Sequence, residues 1–439
     1  MSQYIKKNFF KNCLIILFLF HVINNIYYDL SKQHDVWLHH YYIFNILKLK
    51  FNEIKSEYGI FYYLYVSFFS ILTSPFYLLN ILEPRETFYL TIKIANIFLL
   101  STTILLFIRL SKKIFKFQEH LHYLPSCILF FYSFFNRTFF MSRPENIMIC
   151  LSVLILIYTY DIFENKKKFF KLIIYSSIIA AQKVSGIIFV ICLIFFLSIF
   201  LKNKKFVIKT IIYIGLMLVF YYAFHFFLTD VAFYQNSERL FSEYNDVGIL
   251  NLKLPLNILY NFSFMDAWLN PMRDSQKLSM FNIIALDYFG DYWGYGVNHI
   301  KFFQISETCH RVINKTSLVL SCFYLVTIVI ATIPIFKKLI QSTYNKKELQ
   351  TNCKIIIFQT TLFYSSFSVL IAAALLRYNP ADGDAFKNEY ISFFLIYINF
   401  ILAKNYFSKV NYFKIIIFLI ILIICININF IPISCLFTS

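Results

Sequence analysis

The chain has 439 residues, 59% of them hydrophobic and only 15% charged, with a net charge of +18. Windows of about 20 mostly apolar residues, enough to cross a bilayer, recur along its whole length, which excludes an ordinary soluble protein. The positive charge excludes a nucleic-acid footprint as well: 23 of the 41 Lys and Arg, against three acids, fall in six short stretches (1–12, 109–119, 164–171, 202–209, 337–354 and 404–414), as cytoplasmic loops require.

With those stretches placed inside, the expected elements alternate in order. A first apolar run, about 9–28, follows Lys6, Lys7 and Lys11, reads as an uncleaved anchor and runs outward. The segment Ile60 to Leu82 is long enough to cross, but a crossing there would put Lys112, Lys113 and Lys116 outside. Pro75 also interrupts it, so it is expected to stay on the outer side as interfacial or re-entrant helices. Spans follow at about 87–108, 121–140 and 147–163, then a hairpin over 171–201 that turns near Gln182–Gly186, then 206–228. After an outer loop, 229–315, come 316–336, 354–376, 389–403 and 413–434. The expectation is an all-α polytopic membrane protein with about 11 transmembrane helices, interfacial helices after the first span and a large outer loop. It divides into residues 1–228, which include the first outer loop 29–86, then the loop 229–315, then the C-terminal helices 316–439. The nine cysteines show no paired spacing, so neither a disulfide framework nor a structural zinc is expected.

Residue types capable of chemistry gather in five outer pieces. The first, YYDLSKQHDVWLHHYY, carries Asp29 and Asp35, with Asp35 one helical turn before His39 and His40. A carboxylate there can act as a general base, or can simply cap a short helix. The second holds Arg143 and Glu145, which an interfacial ion pair also explains. The third is Lys183, a cation in the middle of an apolar stretch. It costs about 3 kcal/mol at the bilayer centre unless it sits at a hairpin tip, where it can face an anionic headgroup or snorkel. The fourth, Asp287 to Gly296, sets Asp287, Asp291 and Trp293 among glycines and aromatics, a mixture suited to sugar binding or to an interfacial aromatic belt. The fifth returns Arg377 and Lys387 to the outer surface beside a span. No phosphate-cradling glycine loop and no dinucleotide fingerprint occurs in the sequence.

The order of these pieces resembles a known family. An N-terminal span, an Asp-bearing outer loop, the stretch YGIFYYLYV, a surface SRPE, a hairpin with QKVSG and a late KNEYISFFL together resemble the bacterial membrane glycosyltransferases of the GT-C superfamily. The nearest families in pattern are those that include the dolichyl-phosphate-mannose-protein mannosyltransferases and the aminoarabinose transferases of lipid A. The resemblance is one of order and spacing and is best over the N-terminal two hundred residues or so. It implies sugar transfer, with inversion, from a polyprenyl-phosphate-linked donor to a lipid-linked glycan, lipid or protein acceptor on the extracytoplasmic face of the plasma (inner) membrane. The first loop would supply the general base, Asp35 or Asp29; the family's acidic pair is absent, because Val36 follows Asp35. Glu145 would be the second acid, and Lys183, Arg377 and Lys387 would stabilise the leaving phosphate. No cofactor is required, and a divalent cation is compatible with the family. Two other classes fit a many-span protein. An envelope oligosaccharide polymerase or ligase would depend on Arg273, His299, His310 and Arg311, and a transporter would place paired charges at the midplane.

Overall fold

A bilayer offers no partners for free backbone polar groups, so a chain this apolar has to close its hydrogen bonds within helices. The computed structural model of the protein is built that way. It describes residues 3–33, 36–54, 59–164, 168–201, 203–229, 262–272, 279–301, 303, 305–345, 350–377, 398–407 and 411–432. The α-helices among them are α1 (Gln3–Tyr27), α2 (Val36–Leu47), α3 (Ile60–Leu78), α4 (Pro84–Ile114), α5 (Leu124–Leu129), α6 (Ser133–Phe140), α7 (Glu145–Glu164) and α8 (Phe169–Gln182). They continue as α9 (Val184–Phe200), α10 (Lys204–Thr229), α11 (Phe264–Leu269), α12 (Met280–Phe289), α13 (Glu307–Asn345), α14 (Thr351–Arg377), α15 (Asn399–Phe407) and α16 (Tyr412–Asn429). Seven of the described helices are long and apolar enough to cross a membrane, and the architecture is that of an all-α, multi-pass membrane protein.

Side-chain bonds distinguish two ends of the body. Helices α4 and α7 run parallel: Asn146 Nδ2 donates to Asn96 Oδ1 (2.9 Å) at one end. At the other, Lys113 pairs with Asp161, and Lys116 with Glu164 at 2.9 Å. Helix α1 begins near that lysine-bearing end, where Phe10 packs on Phe407 and Phe418. It finishes at the opposite end, with Asn25 Nδ2 donating to the Phe139 carbonyl (2.8 Å). Helix α3 follows a different course. Its Tyr62 lies level with Ser142 (2.9 Å), and its Thr73 meets Thr91 (2.6 Å) in the first part of α4. It therefore runs away from the lysine-bearing end rather than alongside the second half of α4.

The apolar run expected as one span over 121–140 is two short helices, α5 and α6, separated by a break at 130–132. Carbonyls at and before the break are met by asparagines from three elements. Asn136 Nδ2 donates to Phe130 O (2.8 Å) and Tyr132 O (3.0 Å), Asn429 Nδ2 to Phe131 O (3.0 Å) and Asn399 Nδ2 to Pro125 O (3.1 Å). Further along, Asn96 Nδ2 takes the Met141 carbonyl at 2.9 Å. A broken helix at membrane depth needs such compensation, and here side-chain amides supply it.

The described end of the loop expected over 229–315 is folded into the body. Every residue of α12 except Phe281 is buried, and Ser317 and Ser321 of α13 both donate to the Ala285 carbonyl, at 3.1 and 2.7 Å. Gly290, just beyond it, has the Leu286 carbonyl 2.6 Å and Ser317 Cβ 2.7 Å from where a Cβ would stand, so no larger residue fits the approach. One cysteine expectation is corrected: Cys309 is disulfide-bonded, while seven others among the described residues are free. Cys309 opens α13 and is buried with Ile428 of α16. The contact joins chain segments more than a hundred residues apart, which is why local cysteine spacing carried no sign of it.

Candidate functional site

The hairpin turn expected near Gln182–Gly186 is a single extended residue. Lys183, at φ −163° and ψ 155°, links α8 to α9. The two helices close on one another at Gly186, where a Cβ would stand 1.9 Å from the Ile179 carbonyl oxygen. The extended backbone sends Lys183 toward α7, and its Nζ lies 2.6 Å from Glu145 Oε1. Glu145 is the first residue of α7 and is fully buried, while Lys183 keeps 17% of its side chain exposed. The second carboxylate oxygen, Glu145 Oε2, has no hydrogen-bond partner among the described residues. An ion pair withdrawn from water costs much of its Coulomb attraction in desolvation, so such a pair is a poor stabiliser. Its unfilled acceptor is open to a water, an ion or a ligand group.

The turn before Glu145 is held from two directions. Gln33 grips Ser142 twice: its Nε2 donates to Ser142 O (3.0 Å), and its Oε1 accepts from Ser142 N–H (2.9 Å). Tyr62 OH lies 2.9 Å from Ser142 Oγ. On the hairpin side, Gly59 N–H donates to Gln182 O (2.8 Å) and Gln182 Nε2 donates back to Gly59 O (2.9 Å). Glycine is required at 59, because a Cβ would stand 2.4 Å from the Ala181 carbonyl oxygen. Arg143, within the gripped turn, is buried beside Glu145 in sequence. The site thus sits where the start of α7, the α8–α9 turn and residues Gln33 and Gly59 converge.

Of the residues expected to carry chemistry, Arg143, Glu145 and Lys183 come together here. Asp35 lies outside the described residues, between Gln33, which grips Ser142, and the buried Val36. Asp29 is occupied as a cap, its Oδ1 accepting from Ser31 Oγ (2.6 Å) and Ser31 N–H (3.1 Å). Partial burial pushes its pKa up, but the Ser31 bonds and the charges of Lys301 and Lys32 outweigh this and leave it below the usual aspartate value. His39 faces inward, its Nδ1 3.2 Å from Tyr63 OH. His40 instead lies on Phe88, ring centroids 4.3 Å apart, and burial lowers its pKa. The two histidines therefore serve different neighbours. Arg377 ends α14, with its side chain outside the description, and Lys387, Arg273 and the rest of those segments also lie outside it.

Asp287, Asp291 and Trp293 belong to a second, buried cluster. Arg137 of α6, fully buried, makes a two-pronged pair with Asp287 (Nη1–Oδ1 2.9 Å, Nη2–Oδ2 3.0 Å) and lies 3.5 Å from Asp291 Oδ1. That arrangement suits a planar guanidinium. Asp291 Oδ1 also accepts from Gly296 N–H (2.9 Å), and the Asp291 carbonyl lies 2.5 Å from His310 Nε2, which must carry the proton because a carbonyl only accepts. These acids hold the folded-in loop to α6 and are not presented at a surface. Arg137 escaped sequence reading, although it is the one cation inside the apolar window 121–140, and an intramembrane charge calls for a partner. A cavity of about 580 Å³ opens at the opposite, lysine-bearing end, lined by Lys113, Lys116, Tyr160, Glu164, Gln350 and Asn352, remote from Glu145 and Lys183. The chain matches no protein-family model, no curated protein and no solved structure.

Proposed function

We propose that the protein is a membrane glycosyltransferase that moves a sugar from a polyprenyl-phosphate carrier to a hydroxyl or amine acceptor at the face bearing Glu145 and Lys183. The observation that carries the reading is the buried Lys183–Glu145 pair at 2.6 Å, with one carboxylate oxygen unfilled, beneath the acid-bearing first loop. Transfer of this kind breaks the bond between the anomeric carbon and the phosphate oxygen and forms one to the acceptor. It calls for a base to take the acceptor proton and for a cation to meet the charge growing on the leaving phosphate. In this reading Asp35 is the base, Lys183 and Arg143 meet the phosphate, and the unfilled Glu145 oxygen accepts from a donor or acceptor hydroxyl. Arg377 and Lys387 are the further cations of the proposal, and the acceptor is a lipid-linked glycan, a lipid or a protein. The resemblance of the first two hundred or so residues, in order and spacing, to the GT-C membrane glycosyltransferases supports the reading, although the acidic pair of that family is absent. The expected direction is outward-facing chemistry in a bacterial inner membrane, with no nucleotide and no obligatory cofactor.

The test is turnover of polyprenyl-phosphate sugars by purified, lipid-reconstituted protein. Asp35→Asn is expected to lower kcat by about 10²–10⁴-fold, and Lys183→Met by about 10²–10³-fold. Full activity in Asp35→Asn removes that residue from the role of base. Absence of any turnover, together with loss of glycan chain growth in cells carrying Arg311→Ala, moves the protein to the polymerase or ligase class.

A further inference from the structure

We propose that Gln33 and Gln182 are positioning residues, two amide clamps that fasten the outer segment 33–59 across the Glu145–Lys183 pair. The catalytic consequence of the clamps rests on the glycosyl-transfer reading; the clamps themselves do not.

Each clamp satisfies both backbone groups of one residue in the opposing segment. Gln33 uses its side-chain amide to fill Ser142 N–H and Ser142 O, as a neighbouring strand would. Gln182 fills Gly59 with one backbone and one side-chain group, accepting from Gly59 N–H and donating to Gly59 O. The landing points are specific. Ser142 stands three residues before Glu145, and Gln182 immediately precedes Lys183. Both glutamines are buried, at 2% and 0% exposure, so their bonds are shielded from competing water. A polar loop tied to its scaffold is the ordinary explanation, since buried polar groups find partners. It does not account for both ties falling beside the two members of one ion pair, at the two ends of one segment. Paired bonds of this kind fix register as well as proximity, and a displacement of about 1 Å at a reacting centre can cost about 100-fold in rate. Between the clamps the sequence carries the acids and imidazoles His34, Asp35, His39, His40, Glu53 and Glu57, and the ties at residues 33 and 59 bound the stretch that holds them.

Two readouts test this on the full-length protein in lipid. The first is the rate at which a maleimide modifies Val36→Cys, a position 0% exposed. The second is steady-state turnover of a polyprenyl-phosphate sugar. Adding Gln33→Ala is expected to speed modification at least tenfold. In the otherwise natural chain, Gln33→Ala is expected to lower kcat about 100-fold, with KM for the donor unchanged within threefold. Gln33→Glu keeps an acceptor for the Ser142 amide but offers its carbonyl no donor, so it falls between. Gln182→Ala tests the other clamp by the same readouts, which covers the case in which a Gln33 variant fails to fold. Unchanged modification in both alanine variants overturns the fastening. Faster modification with an unchanged kcat overturns the positioning role. If the natural chain consumes no such donor, the glycosyl-transfer reading falls, and the modification rates still decide whether the clamps hold.

Discussion

Arg137 is the residue whose removal the structure predicts to be most damaging without touching the proposed site. Its two bonds to Asp287, at 2.9 and 3.0 Å, lie in a fully buried environment. Truncating one partner leaves an uncompensated buried charge, which costs about 3–5 kcal/mol. Arg137→Leu should therefore lower the unfolding temperature in detergent sharply, and the pair Arg137→Leu with Asp287→Leu should recover much of the loss. If the single and double variants melt alike, the pair is not what holds the loop. His299 gives a pH signature at the same scale. Burial lowers its pKa most; Asp291 and Asp29 oppose the shift, while Lys32 adds to it. The folded chain then binds this proton less readily than the unfolded one. The associated stability is fully present above about pH 6.5, the ordinary histidine value, and falls as pH drops toward the lowered one. Melting temperatures measured from pH 7.5 downward should decline over that window, and His299→Gln should flatten the decline.

At the scale of elements, the break between α5 and α6 is the feature least visible in the sequence. Asn24, Asn25, Asn96, Asn136, Asn399 and Asn429 lie scattered through apolar windows. Along the chain each looks like a tolerated polar residue. In space Asn136, Asn399 and Asn429 close carbonyls around one broken helix, from positions up to 298 residues apart. Periodicity reports one helix at a time and so cannot show this. Asn136→Leu strands the Phe130 carbonyl and the ring of His21, whose Nδ1 lies 3.1 Å from Asn136 Oδ1, while the Tyr132 carbonyl keeps its 3.2 Å bond from the backbone N–H at position 136. Leaving such groups unmade costs about 1–3 kcal/mol each. Thermal unfolding of Asn136→Leu should show a loss of at least that size, and an unchanged midpoint would mean that the break closes by itself. The hairpin at Lys183 was legible for the opposite reason. A lone cation inside a 31-residue apolar stretch has few acceptable places, and a tip beside a carboxylate is one. The cluster of Asp287, Asp291 and Trp293 shows the limit of composition. Glycines among aromatics mark a shaped turn equally well when it is open and when it is folded into the body.

For the whole molecule, the structure sets a lysine-bearing end apart from the Glu145–Lys183 site. Lys113, Lys116 and Lys168 gather at one end, and the Glu145–Lys183 site lies at the other. Arg143, Glu145 and Lys183 could be picked from the sequence because they interrupt apolar runs near span ends. Gln33 and Gln182 could not, since nothing local distinguishes a clamp from a solvated amide.

The disulfide at Cys309 turns this polarity into a compass. Cysteines pair and stay paired where the redox poise is oxidising, and return to thiols in the cytosol. Cys309 packs against the end of α16 that follows Ile428, and Asn24 of α1 bonds the Phe430 carbonyl there at 3.1 Å, so it shares its end of the body with the proposed site. A chain whose Cys309 is bonded in the cell must therefore turn that end away from the cytosol. When free thiols are trapped by a permeant maleimide in intact cells and the chain is then denatured, Cys309 should be found still bonded. A Cys309 trapped as a thiol would turn the molecule over, with Glu145 and Lys183 on the inside.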